Sequence, residues 1–265
     1  MSDPFQPIER KYRISQKALF VLSESKYPFV VSTKGSLIAE REYTELLKEC
    51  NCVVQISAVC KKYDILEPGA PSFGERIHMC EIVSKAVKRV IIRIQPYMLE
   101  VHKDIVKNLK RFKDAGAYGI TVEGMKFFTK QPGLVKIGGD WCYPQEQLRQ
   151  RFEEIKERCK ELGLAFFCAE NRLRSLGDSM CCCGIEGLSC FTPNTFNLEH
   201  LYNEKDAKIT KAMETPGTGA CFKALYQNAG SSHFISGKSL KDMMLIRLKD
   251  GSFESVCKGE SKIRH

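Results

Sequence analysis

The sequence predicts an α/β protein. Over roughly the first 170 residues, short runs rich in apolar and β-branched residues alternate with amphipathic helical segments. Strands that alternate with helices form a parallel sheet with right-handed crossovers. Polar residues stand late in nearly every predicted strand, and the alternation stops after Asn171.

The predicted strands are residues 28–32, 52–58, 90–95, 119–122 and 164–168. They are apolar through most of their length, as strands of a buried parallel sheet are. Helical periodicity covers residues 14–23, 43–49, 74–87, 101–115 and 146–162. In the fourth helix Ile105, Leu109 and Phe112 share one face, with lysines on the other. Gly163 stands at the expected carboxyl-terminal cap of the fifth.

This order of elements fits an open doubly wound sheet or a β/α barrel. Polar residues at the strand ends favour the barrel, since the carboxyl ends of barrel strands build one shared cleft. We predict three regions: an incomplete β/α barrel over 1–171, a Cys-, Gly- and Asn-rich extension over 172–235, and a carboxyl-terminal helix with a basic tail over 236–265. The helix is predicted from the amphipathic run 240–248.

Composition indicates a cytoplasmic protein with no membrane partner. The 265 residues are 43% hydrophobic, which supports an ordinary core. No apolar run approaches the roughly 18 residues of a membrane span, and the first residues lack the features of a signal peptide. The chain has a net charge of +9, and its basic residues lie mostly on predicted helix faces. Nucleic acid is compatible with this charge as a partner.

Thirteen cysteines are unusual for a chain predicted to be cytoplasmic, where metal ligation or burial is more common than a disulfide. Cys80 and Cys159 lie on apolar helix stripes and are predicted core residues. Five of the other cysteines are candidates for a set of thiolate ligands to zinc or an iron–sulfur cluster. The alternative is that they are small buried residues of a loop-rich cap. These candidate metal ligands are Cys168, Cys181, Cys182, Cys183 and Cys221.

The polar strand ends indicate a small-molecule site. Lys34, Ser57 and Arg93 are all predicted to face one mouth, and a lysine and an arginine there suit a carboxylate or phosphate. Ser2 and Asp3 belong to a Ser-Asp-Pro turn and complete the predicted polar ring.

Several segments together resemble the radical S-adenosylmethionine (SAM) proteins close to spore photoproduct lyase, the DNA repair photolyase-like group. The resemblance extends over residues 1 to 125. The segments that carry it are Ser2-Asp3-Pro4-Phe5-Gln6-Pro7-Ile8-Glu9, Ser32-Thr33-Lys34, Gln55-Ile56-Ser57, Leu66-Glu67-Pro68-Gly69-Ala70-Pro71-Ser72 and Arg93-Ile94-Gln95-Pro96.

The resemblance implies a partial (β/α)6 barrel in which a [4Fe–4S] cluster cleaves SAM to a deoxyadenosyl radical that abstracts hydrogen from a substrate. The substrate is not implied, and the electron donor would be a flavodoxin or ferredoxin. By resemblance, the residues that bind SAM are Ser2, Asp3, Lys34, Ser57, Arg93 and Gln95.

The sequence departs from this family because it contains no Cys-x3-Cys-x2-Cys motif. The turn at Met1–Ile8 normally follows a strand, so we expect a truncated chain that lacks the first barrel strand and is inactive as it stands. Its later cysteines are then expected to hold an auxiliary cluster or zinc. The alternatives are a non-catalytic half-barrel with a structural zinc or iron–sulfur site in 181–221, and a basic nucleic-acid-binding domain.

Overall fold

The computed structural model describes residues 3–179 and 181–189, together with short strands at 234–235, 238–239, 243–247, 253–257 and 263–264. The chain divides into two compact units, residues 1–191 and 192–265. Cys221 lies outside the described residues, as do Ser2 and most of the predicted 172–235 extension beyond Ser189.

The first unit alternates strands with helices, as predicted. Its α-helices are α1 (Glu9–Tyr12), α2 (Ile14–Ser25), α3 (Arg41–Glu49), α4 (Phe73–Val83), α5 (His102–Asp114) and α6 (Gln145–Leu162). The strands of its main sheet are β1 (Phe29–Thr33), β2 (Cys52–Ser57), β3 (Arg89–Tyr97), β4 (Gly119–Gly124) and β8 (Ala165–Cys168). Three further strands are β5 (Lys126–Phe127), β6 (Val135–Ile137) and β7 (Asp140–Cys142).

The main sheet has five strands in the order β1-β2-β3-β4-β8, and every neighbouring pair is parallel. Each strand of this sheet therefore lies beside the strand that precedes it in the chain, and the strand order runs one way across the whole sheet. A barrel is wound in this way, whereas a doubly wound sheet reverses its strand order. The parallel α/β architecture is confirmed. The sheet is open within the described residues, so they do not form the closed barrel.

The two faces of this sheet differ. One face is buried under the helices and supplies the centre of the hydrophobic core, with Ile56, Ile92 and Val122 fully buried. The other face carries a smaller apolar cluster of Val53, Ile91, Phe167 and Leu188. We call this second face the free face, because no α-helix of the described residues contributes to its cluster.

The helices form where the sequence predicts them, and their ends have identifiable causes. Ser72 and Glu75 make a capping box that starts α4 one residue before its predicted beginning and satisfies exposed backbone N–H groups. Gly163 ends α6 with a left-handed φ of 66°. Cys80 and Cys159 are fully buried, as predicted for core residues.

Two regions differ from the sequence expectation. Strands β5, β7 and β6 form a small antiparallel sheet that was not predicted; none exceeds three residues, too short for a periodicity signal. In the second unit, Met243–Arg247 form a strand paired antiparallel with Phe253–Cys257, so the helix predicted over 240–248 is wrong. Helix and strand cannot be told apart by periodicity in so short an apolar run.

The other strands of the second unit are β9 (Phe234–Ile235), β10 (Lys238–Ser239) and β13 (Ile263–Arg264), with Met243–Arg247 as β11 and Phe253–Cys257 as β12. Strands β9 and β10 pair antiparallel, and β13 extends the β11–β12 pair. In the part of the chain that the structure describes, no helix has the length and apolarity that crossing a membrane requires.

The amino-terminal turn is packed so closely on the end of β1 that Gly35 has no room for a side chain. A Cβ there would lie 2.1 Å from the carbonyl oxygen of Phe5. We predict that Gly35→Ala lowers the free energy of unfolding by about 1–3 kcal/mol through this backbone clash. Urea denaturation monitored by circular dichroism measures the effect.

Gly69→Ala is the matched control, because a Cβ at Gly69 has nothing within 4 Å. Equal stability losses in the two variants would contradict the close packing of the turn on β1.

Candidate functional site

The free face carries a polar row at the carboxyl end of the sheet. Arg93 on β3 pairs in register with Ser57 on β2 and with Thr121 on β4. Paired residues in a parallel sheet project to the same face, so these three side chains lie side by side. Gln95 and Glu123 form the next row, where Gln95 Nε2 donates to Glu123 Oε2 at 2.5 Å.

This polar row contains unsatisfied groups. The hydroxyl of Thr121 and the amide oxygen of Gln95 are buried, and neither has a hydrogen-bond partner in the described structure. Within the same residues, the half-buried Arg93 guanidinium makes no ion pair or hydrogen bond with another side chain or with the backbone. Buried polar groups are nearly always hydrogen-bonded. Unmet groups beside an unpaired cation therefore mark a place where an external ligand can bind.

The other half of the free face is closed by the segment 184–189. Leu188 and Ile185 pack on Val53, Ile91 and Phe167. Arg89 anchors this segment, since its Nη1 donates to the carbonyl of Gly184 at 2.6 Å and also to that of Glu186. The free face is thus apolar and covered near the amino ends of the strands, and polar near their carboxyl ends.

Asp3 holds the amino-terminal turn against the end of β1. Its Oδ1 accepts from the Thr33 hydroxyl at 2.6 Å and from the Phe5 amide at 2.9 Å, and its Oδ2 accepts from the Lys34 amide at 2.6 Å. Its carboxylate is therefore occupied by protein groups at these three positions. The predicted contact between Asp3 and a cofactor stays a prediction.

Lys34 belongs to an ion-pair network centred on Glu67. The Glu67 carboxylate accepts from Lys34 Nζ and, at 2.7 Å, from Arg76 Nη2. Arg76 is only 2% exposed, and it also donates to the carbonyls of Pro71 at 2.7 Å and Ser57 at 3.2 Å. It therefore fastens the loop 66–72 to the carboxyl end of β2.

These contacts bring together segments that are distant in the sequence. A cavity of about 560 Å³ is formed by three of them: the amino-terminal turn, the residues after β1 and the loop 66–72. Its lining residues include Asp3, Lys34, Gly35, Gly69 and Pro71. Two of the predicted site residues, Asp3 and Lys34, thus share this cavity, while Ser57, Arg93 and Gln95 belong to the polar row.

The network alters the ionisation of Glu67. Burial opposes the charged form, but hydrogen bonds from Lys34 and Arg76 and the charges of both residues outweigh it and hold the pKa of Glu67 below its ordinary value. Glu67 stays ionised over the whole neutral range, so Arg76 keeps its partner there.

The described candidate metal ligands do not assemble into a metal site. Within the described residues, no group of three or more His, Cys, Asp or Glu side chains is placed to hold a metal ion. Cys168 is buried, which raises its pKa to about 11, and its thiol donates to the Glu170 carbonyl. The sulfurs of Cys181 and Cys183 lie 3.3 Å apart, and Cys221 is outside the described residues.

Sequence reasoning did not select Arg76 or Thr121 and gave no role to Glu67. Glu67 stands within a segment that carries the family resemblance, but its role depends on Arg76, nine residues away on α4. Thr121 and Glu123 are among the polar residues that stand late in the predicted strands, and nothing in the sequence distinguishes them from the others. The register of β3 with β4 places Thr121 beside Arg93, and Glu123 is identified by the hydrogen bond it accepts from Gln95.

The comparisons with known proteins are sparse. No family model matches the sequence, and no curated protein matches it. Among solved structures, a mutant of spore photoproduct lyase aligns with a TM-score of 0.48 and 16% sequence identity, over 63% of this chain and 58% of that one. The chain therefore spans less than two thirds of that protein.

We predict that Glu67→Gln lowers the free energy of unfolding at neutral pH by about 3 kcal/mol, because it leaves the buried Arg76 without an anionic partner. The pKa of Glu67 is lower in the folded than in the unfolded state. Its contribution to the free energy of unfolding is therefore fully present above the unfolded-state pKa, near 4.5, and is lost as the pH falls through the folded-state pKa. The difference from the wild type should therefore shrink in acid. Urea denaturation at a series of pH values measures this.

Glu45→Gln is the control, since Glu45 pairs with Lys48 on the exposed surface of α3 and its loss should change stability less. A Glu67→Gln effect that does not vary with pH, or is no larger than the Glu45→Gln effect, would contradict the network.

Proposed function

We propose that this chain binds S-adenosylmethionine on the polar half of the free face, as part of a radical SAM enzyme. The observation that supports this most directly is the unpaired Arg93 guanidinium beside the unsatisfied Thr121 hydroxyl and Gln95 amide oxygen. The family resemblance of the sequence, which includes Ser57, Arg93 and Gln95, points to the same ligand.

The chemistry of this row fits the groups that S-adenosylmethionine presents. Its carboxylate suits the Arg93 guanidinium, which can donate two parallel hydrogen bonds to it. Its ammonium suits the amide oxygen of Gln95 and the carboxylate of Glu123. The hydroxyls of Ser57 and Thr121 suit the ribose. These residues form the polar half of the free face, towards the carboxyl edge of the parallel sheet, where α/β proteins bind their ligands.

Asp3 and Lys34 support this site from the neighbouring cavity. Their charged groups hold the turn and the loop 66–72 in place, and through Arg76 that loop is joined to the carbonyl of Ser57. We propose that Lys34, which is partly exposed, also contacts the ligand. Asp3 is proposed to act on the site by fixing the backbone of Lys34.

The described residues do not fit a [4Fe–4S] cluster. They place no three metal-ligating side chains together, and the sequence has no Cys-x3-Cys-x2-Cys motif. The step proposed for this chain is therefore the binding and orientation of S-adenosylmethionine. The substrate, the electron donor and nucleic acid as a partner stay predictions of the resemblance.

We predict that the purified chain binds S-adenosylmethionine in equilibrium dialysis and that Arg93→Ala weakens this affinity about 10- to 100-fold, the loss expected for a charge-assisted hydrogen bond. Thr121→Val should weaken binding while leaving the fold intact, because the hydroxyl has no partner in the protein to lose. Circular dichroism confirms folding of both variants.

Arg158→Ala is the matched control. It removes the same charge from the exposed face of α6, whose buried face packs in the main core. Absence of binding by the wild type would contradict the proposal, as would equal affinities for the Arg93→Ala and Arg158→Ala variants. Displacement by inorganic phosphate at similar concentration would indicate a general anion site instead.

A further inference from the structure

The segment Cys181-Cys182-Cys183 has a local geometry that its candidate role as a metal site does not explain. The sulfurs of Cys181 and Cys183 are 3.3 Å apart, close to the contact distance of two thiols. The neighbouring Cys182 thiol also interacts with the Cys183 sulfur, but within the described structure no group of three or more His, Cys, Asp or Glu side chains is placed to hold a metal ion. A pair of facing thiols is the arrangement that precedes a disulfide.

The backbone holds this pair in place. Gly184 has a left-handed φ of 71°, which a residue with a side chain rarely adopts, and it reverses the chain directly after Cys183. A Cβ at Gly184 would also press on Ile91 and Phe167 of the sheet. Arg89 fixes the reversed segment through the carbonyls of Gly184 and Glu186. The segment that follows the thiol pair is therefore held against the sheet.

The reversal also surrounds the Cys181 sulfur with hydrogen-bond donors. The Cys183 thiol and the backbone N–H groups of Cys183, Ile185 and Glu186 lie close to it. Two thiols in contact are suited to thiol–disulfide exchange, because the second can attack the mixed disulfide that the first forms.

Exposure divides the pair into two roles. Cys181 is 4% exposed, whereas Cys183 is half-buried and reaches solvent. A disulfide arriving from solvent therefore meets Cys183 first, with Cys181 behind it to complete the exchange.

We propose that Cys181 and Cys183 form a reversible disulfide by exchange with a low-molecular-weight disulfide of the glutathione class. Cys183 loses its proton to water and its sulfur attacks one sulfur of the small disulfide, forming a mixed disulfide and releasing a thiolate that takes up a proton. The Cys181 sulfur then attacks the Cys183 sulfur, and its proton leaves with the second small thiol. The two cysteines are oxidised, and one small disulfide is reduced to two thiols.

The experiment equilibrates the full chain in glutathione buffers from fully reduced to mostly oxidised, blocks free thiols by alkylation and identifies the modified peptides by mass spectrometry. In the oxidised buffers we expect the loss of two alkylation sites, Cys181 and Cys183, and their recovery when the buffer is made reducing. The wild-type chain alone gives this result, without any variant.

The variants separate the roles of the two sulfurs. Cys181→Ser should accumulate a stable glutathione adduct on Cys183, because the resolving thiol is gone. Cys183→Ser should leave Cys181 reduced. Cys182→Ser and Cys190→Ser are the matched controls from the same part of the sequence and should still form the disulfide.

Two results would overturn the proposal. One is alkylation of all three cysteines throughout the buffer series. The other is iron or zinc that stays bound through gel filtration and is lost in both the Cys181→Ser and Cys183→Ser variants, which would make the pair metal ligands. Neither result bears on the binding of S-adenosylmethionine, which is measured separately.

Discussion

The site depends on the way side chains alternate between the two faces of the five-stranded parallel sheet. Helices cover one of these faces. Residues that point to the covered face, such as Ile56, Ile92 and Val122, must be apolar because they form the core. Residues that point to the free face are released from that requirement towards the carboxyl ends of the strands. Ser57, Arg93 and Thr121 occupy these positions, and the parallel register sets them in one row.

The loops beside this row are held by buried charge. Arg76 is almost completely buried, and the Glu67 carboxylate and two backbone carbonyls accept the hydrogen bonds of its guanidinium. Glu67 in turn is shared with Lys34, whose amide is bound by Asp3. Two separate segments, the amino-terminal turn and the loop 66–72, are thereby fixed to the ends of β1 and β2. The loops beside the free face are thereby held in place, while polar side chains on that face lack hydrogen-bond partners in the described structure.

The sequence was sufficient to predict what periodicity controls. All five strands of the main sheet and α2 to α6 lie where apolar patterning placed them, because their buried stripes are long enough to be recognised. Strands of two or three residues, such as β5 and β6, leave no such pattern. The short apolar run at 243–247 is compatible with either period, and its pairing with 253–257 makes it a strand.

The candidate site was predictable only in part, for a different reason. Arg93 and Ser57 could be selected because they are polar residues late in apolar predicted strands, but Arg76 acts through a contact between a helix and a loop. The pairing of Thr121 with Arg93 follows from strand register, which depends on which strands are neighbours and where each begins. The closeness of Cys181 to Cys183 depends on the left-handed turn at Gly184, which residue spacing does not show.

The most direct test of the account is a crystal structure of this chain with S-adenosylmethionine. The account predicts the ligand on the free face, with its carboxylate hydrogen-bonded to the Arg93 guanidinium and a polar group within reach of the Thr121 hydroxyl. A ligand bound elsewhere, with Arg93 and Thr121 still unpartnered, would contradict it.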